Sequence, residues 1–290
     1  MAVLIDGKKT AAEIRAEIAA ESAEFLAKYG RKPSLAVVKV GDDPASAVYV
    51  RNKVRACEDC GFISNTVLFP SDASVSDIVG AVKALNVDES VDGILVQLPL
   101  PGELASHTKE IIDAVDPSKD ADAFHSLDSG HLKVDGGNIL PCTPAGIIEL
   151  LKRYGVPVEG REAVVIGRSD IVGRPAAALL LEMNATVTIA HSRTKNLPEV
   201  IRRADIVVSA VGRAGLVTGD MLKSGCALID VGMNRNAEGK LCGDADFESC
   251  EKVAGFITPV PGGVGPMTVC MLMRNTMNAA IAHEKAKAEI

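Results

Sequence analysis

The sequence predicts an α/β protein of two domains, each built on a parallel or largely parallel sheet. Short aliphatic runs recur after segments of helical period, the pattern that crossover connections impose on a chain. Hydrophobic residues make up 47% and aromatics only 3%, with no Trp, so the core is aliphatic, as strands covered on both faces require. At 290 residues the chain is long enough to form two cores.

In order, a helix is expected over Thr10–Lys28, apolar at 14, 18, 25 and 26, before a strand at Leu35–Val40. A second helix, Pro44–Cys60, leads to a strand at Thr66–Phe69, and a third, Val75–Leu85, to a strand at Gly93–Gln97. The stretch Asp116–Pro144 is polar and turn-rich, with Gly130, Gly136 and Gly137, and reads as an interdomain region. A helix starting at Pro144 (Ala145–Tyr154) opens a second alternating block. Its strands are expected at Ala163–Ile166, Thr186–Ala190, Ile206–Ala210, Ala227–Val231 and Gly255–Thr258. The last helix, Met267–Ala288, is long enough to return to the first domain. The expected domains are therefore 1–120 plus 271–290, and 121–270.

A net charge of −7 argues against nucleic acid as a partner, because phosphate neutralisation needs a basic face. No apolar stretch reaches a membrane span. MAVLIDGKKT lacks a signal-peptide core and cleavage site, so a cytoplasmic protein is expected. The seven cysteines offer no second pair to match Cys57-x-x-Cys60, which reads as small residues buried on a helix. Histidines 107, 125, 131, 191 and 283 lack ligand spacing, so no metal is expected.

Three stretches carry chemistry. The run Pro261-Gly262-Gly263-Val264-Gly265-Pro266-Met267-Thr268 lets backbone approach a flat ligand, with Pro266 read as the first position of the last helix. A structural turn would have the same composition. Next, Gly167-Arg168-Ser169-Asp170-Ile171-Val172-Gly173 follows a strand and opens a helix, where a pyrophosphate can meet a helix N-terminus. Its spacing is not G-x-G-x-x-G, and an ordinary βα turn would look similar. The following strand ends in His191-Ser192-Arg193-Thr194. An acid for a ribose hydroxyl is expected about 20 residues after the glycines, and none stands there. Hydroxyls and guanidinium groups, Arg168 included, favour the 2′-phosphate of NADP.

The third stretch is the helix after Asp43. Arg51, Arg55, Glu58 and Asp59 share one face, while Lys53 falls opposite, beside Val50, Val54 and Cys57. A lysine on a buried side snorkels, pairs or works; desolvation lowers a lysine's pKa toward values useful for proton transfer. Tyr49 lies one turn before it. Gln97 ends an apolar strand, where a side chain faces ligand in open α/β sheets or caps local backbone. Asp120 and Asp122 sit in the turn-rich region, where a solvated acidic loop is the ordinary alternative.

With these residues assembled, the whole chain resembles the bifunctional methylenetetrahydrofolate dehydrogenase/methenyltetrahydrofolate cyclohydrolase family. The resemblance rests on Asn86-Val-Asp88 with Ile94-Leu-Val-Gln97-Leu-Pro-Leu100, and on Pro261–Val269. Tyr49-Val50-x-x-Lys53, Gly167–Pro175, Pro141-Cys-Thr-Pro144 and Asp230-Val-Gly-Met-Asn-Arg235 add to it.

It implies an N-terminal αβα folate-binding catalytic domain and a C-terminal Rossmann-like NADP-binding domain facing across a cleft, in a homodimer. It also implies oxidation of 5,10-methylenetetrahydrofolate by NADP⁺ and hydrolysis of the methenyl product to 10-formyltetrahydrofolate. By position, Lys53 is the implied essential lysine, with Tyr49 against the folate, Gln97 positioning Lys53 and Asp122 binding the pterin. Val50, Leu98, Pro99, Pro261, Gly262 and Gly263 complete the implied folate pocket. Gly167, Arg168, Ser169, Ile171, Val172, Gly173, Ser192, Arg193 and Met233 form the implied cofactor site. The chain departs from the family pattern at Ala121 and Ala123, where Val and Gly are expected, and at Asp128, where Asn is expected. A monofunctional dehydrogenase, a non-catalytic binding module and an NAD-dependent variant are the competing readings.

Overall fold

The structure is a computed structural model that describes residues 2–125 and 139–288. Asp128, Gly130, His131, Gly136 and Gly137 lie outside the described residues. From the N-terminus run β1 (Val3–Leu4), α1 (Gly7–Tyr29), β2 (Ser34–Val40), α2 (Pro44–Asp59), β3 (Ile63–Phe69) and α3 (Val75–Val87). Then come β4 (Gly93–Val96), α4 (Thr108–Ile112), α5 (Cys142–Arg153), β5 (Glu162–Ile166), α6 (Gly173–Glu182), β6 (Thr186–Ala190) and α7 (Leu197–Arg202). The chain continues through β7 (Ile206–Ser209), β8 (Ala227–Asp230), β9 (Asn234–Arg235), β10 (Leu241–Cys242), α8 (Phe247–Glu251), β11 (Phe256–Ile257) and α9 (Val264–Ala288). No helix among the described residues is long and apolar enough to cross a membrane.

The chain divides into two compact units, Glu13–Cys142 with Val269–Ile290, and Met1–Ala12 with Thr143–Thr268. These limits differ from the expected ones at both ends of the first domain. Residues 1–12 join the second sheet because β1 pairs in parallel with β11. Residues 121–142 stay with the first unit because the backbone at 119–121 hydrogen-bonds to Ile94 on β4 (2.6 and 3.1 Å), and because Asn275 of α9 holds the Ala121 carbonyl (2.9 Å).

In the first unit, the sheet order is β3-β2-β4 and every pairing is parallel. All seven residues of β2 are buried, as a central strand covered on both faces demands. Val38, Ile78, Val82, Ile94, Val96 and Ile111 belong to one apolar cluster that joins this sheet to α3 and α4. Ser74 caps α3 by accepting from the Asp77 backbone N–H (3.1 Å). The buried Lys119 ammonium closes its other end, donating to the carbonyls of Leu85 (3.2 Å) and Asp88 (2.7 Å).

In the second unit the order is β1-β11-β8-β7-β5-β6, again parallel throughout. β6 lies to one side of β5 and β7 to the other, so the strand order reverses between β5 and β7. Ligands of open α/β sheets bind outside the carboxyl ends of the strands at such a reversal.

Three helix starts differ from expectation: α1 begins at Gly7 and not Thr10, and two others carry a proline. α5 begins at Cys142 and α9 at Val264, so Pro144 and Pro266 each stand third in their helices. The first-turn N–H groups have no partner inside a helix, so proline is tolerated at any of these positions.

Candidate functional site

Helix α2 is fixed at its start by the Asp43 carboxylate, which accepts from the Ser46 N–H at 2.7 Å. From that start the helical period turns Val50 and Cys57 inward and Arg51, Arg55, Glu58 and Asp59 out to solvent, with Lys53 half-buried. Tyr49, one turn earlier, is 46% exposed. The Lys53 Nζ donates to Gln97 Oε1 at 3.0 Å. Gln97, buried at the end of β4, turns its Nε2 to the Leu98 carbonyl (2.7 Å). That second bond fixes the amide orientation, so its oxygen is the atom offered to the lysine. A cis peptide bond joins Leu98, half-buried, to Pro99, exposed.

Asp122 arrives from the other side of β4. Its backbone is held by Asp120, which accepts from the amides of Asp122 (3.3 Å), Phe124 (2.7 Å) and His125 (2.7 Å). Ala123, where glycine was expected, has φ +56°, a left-handed conformation that a Cβ disfavours. Ala121 is buried, and its Cβ lies 3.2 Å from where a Cβ on Gly93 would stand.

Cys142 joins this group. Its thiol is pushed well above the ordinary range by complete burial, then by the Asp122 charge and a hydrogen bond to Asp122, with the Lys53 charge opposing. Asp122 and Lys53 thus both act on Cys142, and Lys53 is in turn bonded to Gln97. Sequence reasoning placed Cys142 only inside a motif, and it missed Asn275. The Asn275 Nδ2 donates to Ala121 O (2.9 Å), Leu140 O (2.7 Å) and Cys142 Sγ (3.5 Å), fastening both segments that border Asp122. A buried asparagine in the apolar stripe of α9 was the available signal.

Cys57 and Cys60 are buried, and burial pushes their thiols up to about 12 and about 11. Such thiols are inert packing groups. Among the described residues, no three His, Cys, Asp or Glu side chains gather in a way that could hold a metal ion.

In the second unit, Gly167 and Gly173 have steric reasons. Gly167 has φ +123°, and a Cβ there would stand 2.4 Å from the Ala210 carbonyl oxygen at the end of β7. A Cβ on Gly173 would stand 2.4 Å from the Gly167 carbonyl oxygen. The turn therefore folds back on itself and against β7, leaving Arg168, Ser169, Asp170 and Ile171 exposed and Val172 half-buried. Ser169 Oγ accepts from the Gly173 N–H (3.3 Å) at the start of α6.

The Gly167 N–H donates to Ala190 O (2.9 Å), tying this turn to the end of β6. There a tight turn forms. The His191 N–H donates to Thr194 Oγ1 (2.8 Å) and the Arg193 N–H to His191 Nδ1 (3.1 Å), leaving Ser192 and Arg193 exposed. A guanidinium and a hydroxyl without a nearby carboxylate on that turn fit a phosphate better than a bare ribose hydroxyl.

Met233, after β8, is 56% exposed, with its sulfur 4.0 Å from where a Gly265 Cβ would stand. The loop Pro261–Gly263 belongs to this unit and has packing reasons of its own. A Cβ on Gly263 would stand 2.6 Å from Pro259 O, and Gly262 has φ +108°. The Lys8 N–H donates to Gly262 O at 2.9 Å. Sequence reasoning did not single out Val211–Arg213, which follow β7 beside the Gly167 turn, or the carboxylate of Asp244 beneath them.

Comparison with known proteins agrees with both halves. Residues 5–122 match the tetrahydrofolate dehydrogenase/cyclohydrolase catalytic domain, and residues 141–284 match the NAD(P)-binding domain of the same family. The bifunctional protein FolD of Ralstonia pickettii is 52% identical over 279 residues, covering 96% of each chain. Among solved structures, the FolD methylenetetrahydrofolate dehydrogenase/cyclohydrolase of Campylobacter jejuni superposes with a TM-score of 0.92 at 43% identity, covering 97% of this chain and 99% of that one. The Trypanosoma brucei dehydrogenase-cyclohydrolase, complexed with NADP cofactor and an inhibitor, superposes at 0.90 with 39% identity, covering 100% and 99%. The catalytic-domain match takes in Lys53 and Gln97 and the NAD(P)-binding match takes in the Gly167 turn, and the chain belongs to the tetrahydrofolate dehydrogenase/cyclohydrolase family.

Proposed function

We propose that the chain oxidises 5,10-methylenetetrahydrofolate with NADP⁺ and then hydrolyses the methenyl product to 10-formyltetrahydrofolate, with Lys53 as the proton-transfer group of the hydrolysis. The observation that carries this is the 3.0 Å bond from Lys53 Nζ to Gln97 Oε1, made next to Asp122 and the buried Cys142.

NADP⁺, when bound, supplies the hydride acceptor. The chain's own work is to hold it and to manage protons. Ser192 and Arg168 hold the 2′-phosphate, with Arg193 beside them. Gly167 to Gly173 present the α6 N-terminus to the pyrophosphate. Met233 borders the nicotinamide end.

In the hydrolysis, water adds to the methenyl carbon and loses one proton to give a carbinolamine; the carbon–N5 bond then breaks as N5 gains a proton and the hydroxyl proton is released to solvent, leaving the formyl group on N10. One amine can accept the first proton and return the second. Gln97 Oε1 accepts one N–H of Lys53, so the amine stays aimed while its lone pair remains free to take the proton. Asp122 binds the pterin, and Tyr49 lies against its ring. Val50 backs that helix face from the core, while Leu98, Pro99 and the backbone of Pro261, Gly262 and Gly263 complete the folate contacts. A homodimer in the cytoplasm is the setting we propose, and sedimentation of the purified protein tests its first half.

The test follows nicotinamide reduction with methylenetetrahydrofolate and either NADP⁺ or NAD⁺, then decay of the methenyl absorbance. Wild type is expected to reduce NADP⁺ in preference and to accelerate the decay. Lys53→Ala is expected to lose roughly 100-fold or more of the hydrolysis while still binding NADP⁺. No reduction with either nucleotide would sink the reading. Decay at the uncatalysed rate would leave only a dehydrogenase, and preference for NAD⁺ would overturn the roles of Arg168, Ser192 and Arg193.

A further inference from the structure

Val211–Arg213 leave β7 at the strand-order reversal, next to the Gly167 turn, yet all three residues are exposed. An exposed loop with no apolar anchor has no packing to fix its path. What fixes this one is a carboxylate below it. Asp244 is fully buried, and among the described residues none of its hydrogen-bond donors is a cationic side chain. Its Oδ2 accepts from the amides of Val211 (2.9 Å) and Gly212 (3.3 Å) and from the Ser209 hydroxyl (3.1 Å). Its Oδ1 accepts from the Arg213 amide (2.7 Å) and from Asn234 Nδ2 (3.0 Å). Three consecutive loop amides thus converge on one side chain, and the same side chain holds the residue after Met233.

The surrounding sequence makes room for it. A Cβ on Gly232 would stand 2.2 Å from Asp244 Oδ1, and a Cβ on Gly243 would stand 1.9 Å from Asp230 Oδ2. Asp230 in turn accepts from the Gly232, Asp244 and Ala245 amides at 2.8–2.9 Å. The two glycines are spaces filled by carboxylates.

We propose that Asp244 is a positioning residue for nucleotide binding: it shapes the loop after β7 and the segment after β8 so that Val211–Arg213 and Met233 meet the dinucleotide at the reversal between β5 and β7. This rests on the nucleotide reading given under the proposed function. It extends that reading to a residue that itself touches no ligand.

Asp244→Asn keeps the size and removes the design. An amide has one acceptor oxygen, so its NH₂ must face either the Val211 and Gly212 amides or the Arg213 amide and Asn234, donor against donor. Calorimetric titration with NADP⁺ in the absence of folate is expected to show at least a tenfold weaker Kd for the variant. The KM for NADP⁺ rises by a similar factor, and the KM for methylenetetrahydrofolate stays within about twofold. Hydrolysis of supplied methenyltetrahydrofolate reports that the rest of the protein is folded.

An NADP⁺ Kd within twofold of wild type overturns the proposal. So does a variant in which nucleotide binding, hydrolysis and melting temperature fall together, because that is loss of fold and not of loop shape. Should the variant not fold, hydrogen exchange on wild type decides. Val211, Gly212 and Arg213 amides protected without ligand support the proposal, and exchange at the rate of an unstructured peptide overturns it. Failure of wild type to bind NADP⁺ overturns the nucleotide reading and this proposal together. Normal wild-type binding with an unaffected variant overturns this proposal alone.

Discussion

Ala123 stands in a left-handed conformation (φ +56°) directly after Asp122. A Cβ in that region costs roughly 1–2 kcal/mol, against the smaller entropic cost of glycine. Ala123→Gly is therefore expected to stabilise the protein by about 1 kcal/mol, read as a higher urea midpoint at unchanged slope. A midpoint that falls would show that the loop carries no such strain. The sequence flagged this position only as a departure from the family pattern; its reason is a backbone angle that the sequence does not display. Lys53 and Gln97 were legible because each stands at a place where helical period or strand end dictates direction. Asp244 and Asn275 were not, because their partners lie far away in the chain: Val211 for one, Ala121 and Leu140 for the other. No local period marks such pairings.

Among elements, those with a period were legible and those made by pairing alone were not. β2, β5 and β7 follow from runs such as Leu35–Val40 that a buried parallel strand requires. The two-residue strands β1, β9 and β10 exist only through their partners. The start of α1 shows how tight such pairing is. It begins at Gly7, and a Cβ there would stand 1.8 Å from the Gly263 carbonyl oxygen. Backbone cannot yield as a flexible side-chain end can, so Gly7→Ala should cost about 1–3 kcal/mol or more. A melting temperature equal to wild type would mean that α1 can shift to accept the methyl. The glycines before α9 are thus partly explained by packing, one of the two readings that their composition left open.

At the scale of the whole molecule, the part of α9 that belongs to the first unit makes polar contacts with residues far from it in sequence. Asp92 is fully buried and receives Arg31 through two bonds of 2.8 Å each, His283 at 3.1 Å and the Ser34 amide at 3.0 Å. Glu284 holds the Arg31 Nε at 2.7 Å. Burial opposes ionisation of Asp92, but the bonds from His283 and Arg31 prevail and hold its carboxyl below the ordinary value of 3.8. A depressed carboxyl stabilises the fold fully above its unfolded value of about 4 and loses that contribution as pH falls through the folded value. Arg31→Met is expected to cost roughly 3–5 kcal/mol at pH 7 by stranding the buried charge. The gap to wild type should narrow below about pH 4. A gap of constant size down to pH 3 would show that packing, and not charge, carries the effect.

The division of the chain has a consequence in time. The strands β2, β3 and β4 precede residue 143, but Asn275 and His283 follow the whole segment Thr143–Thr268. On a ribosome, the sheet that carries Gln97 emerges early while its polar latches are still unmade. The nucleotide unit, whose β1 is already waiting, can close first. The backbone beside Asp122 gains its bonds from Asn275 only once α9 has emerged, so this part of the candidate site is completed after the segment that forms the second sheet has been made.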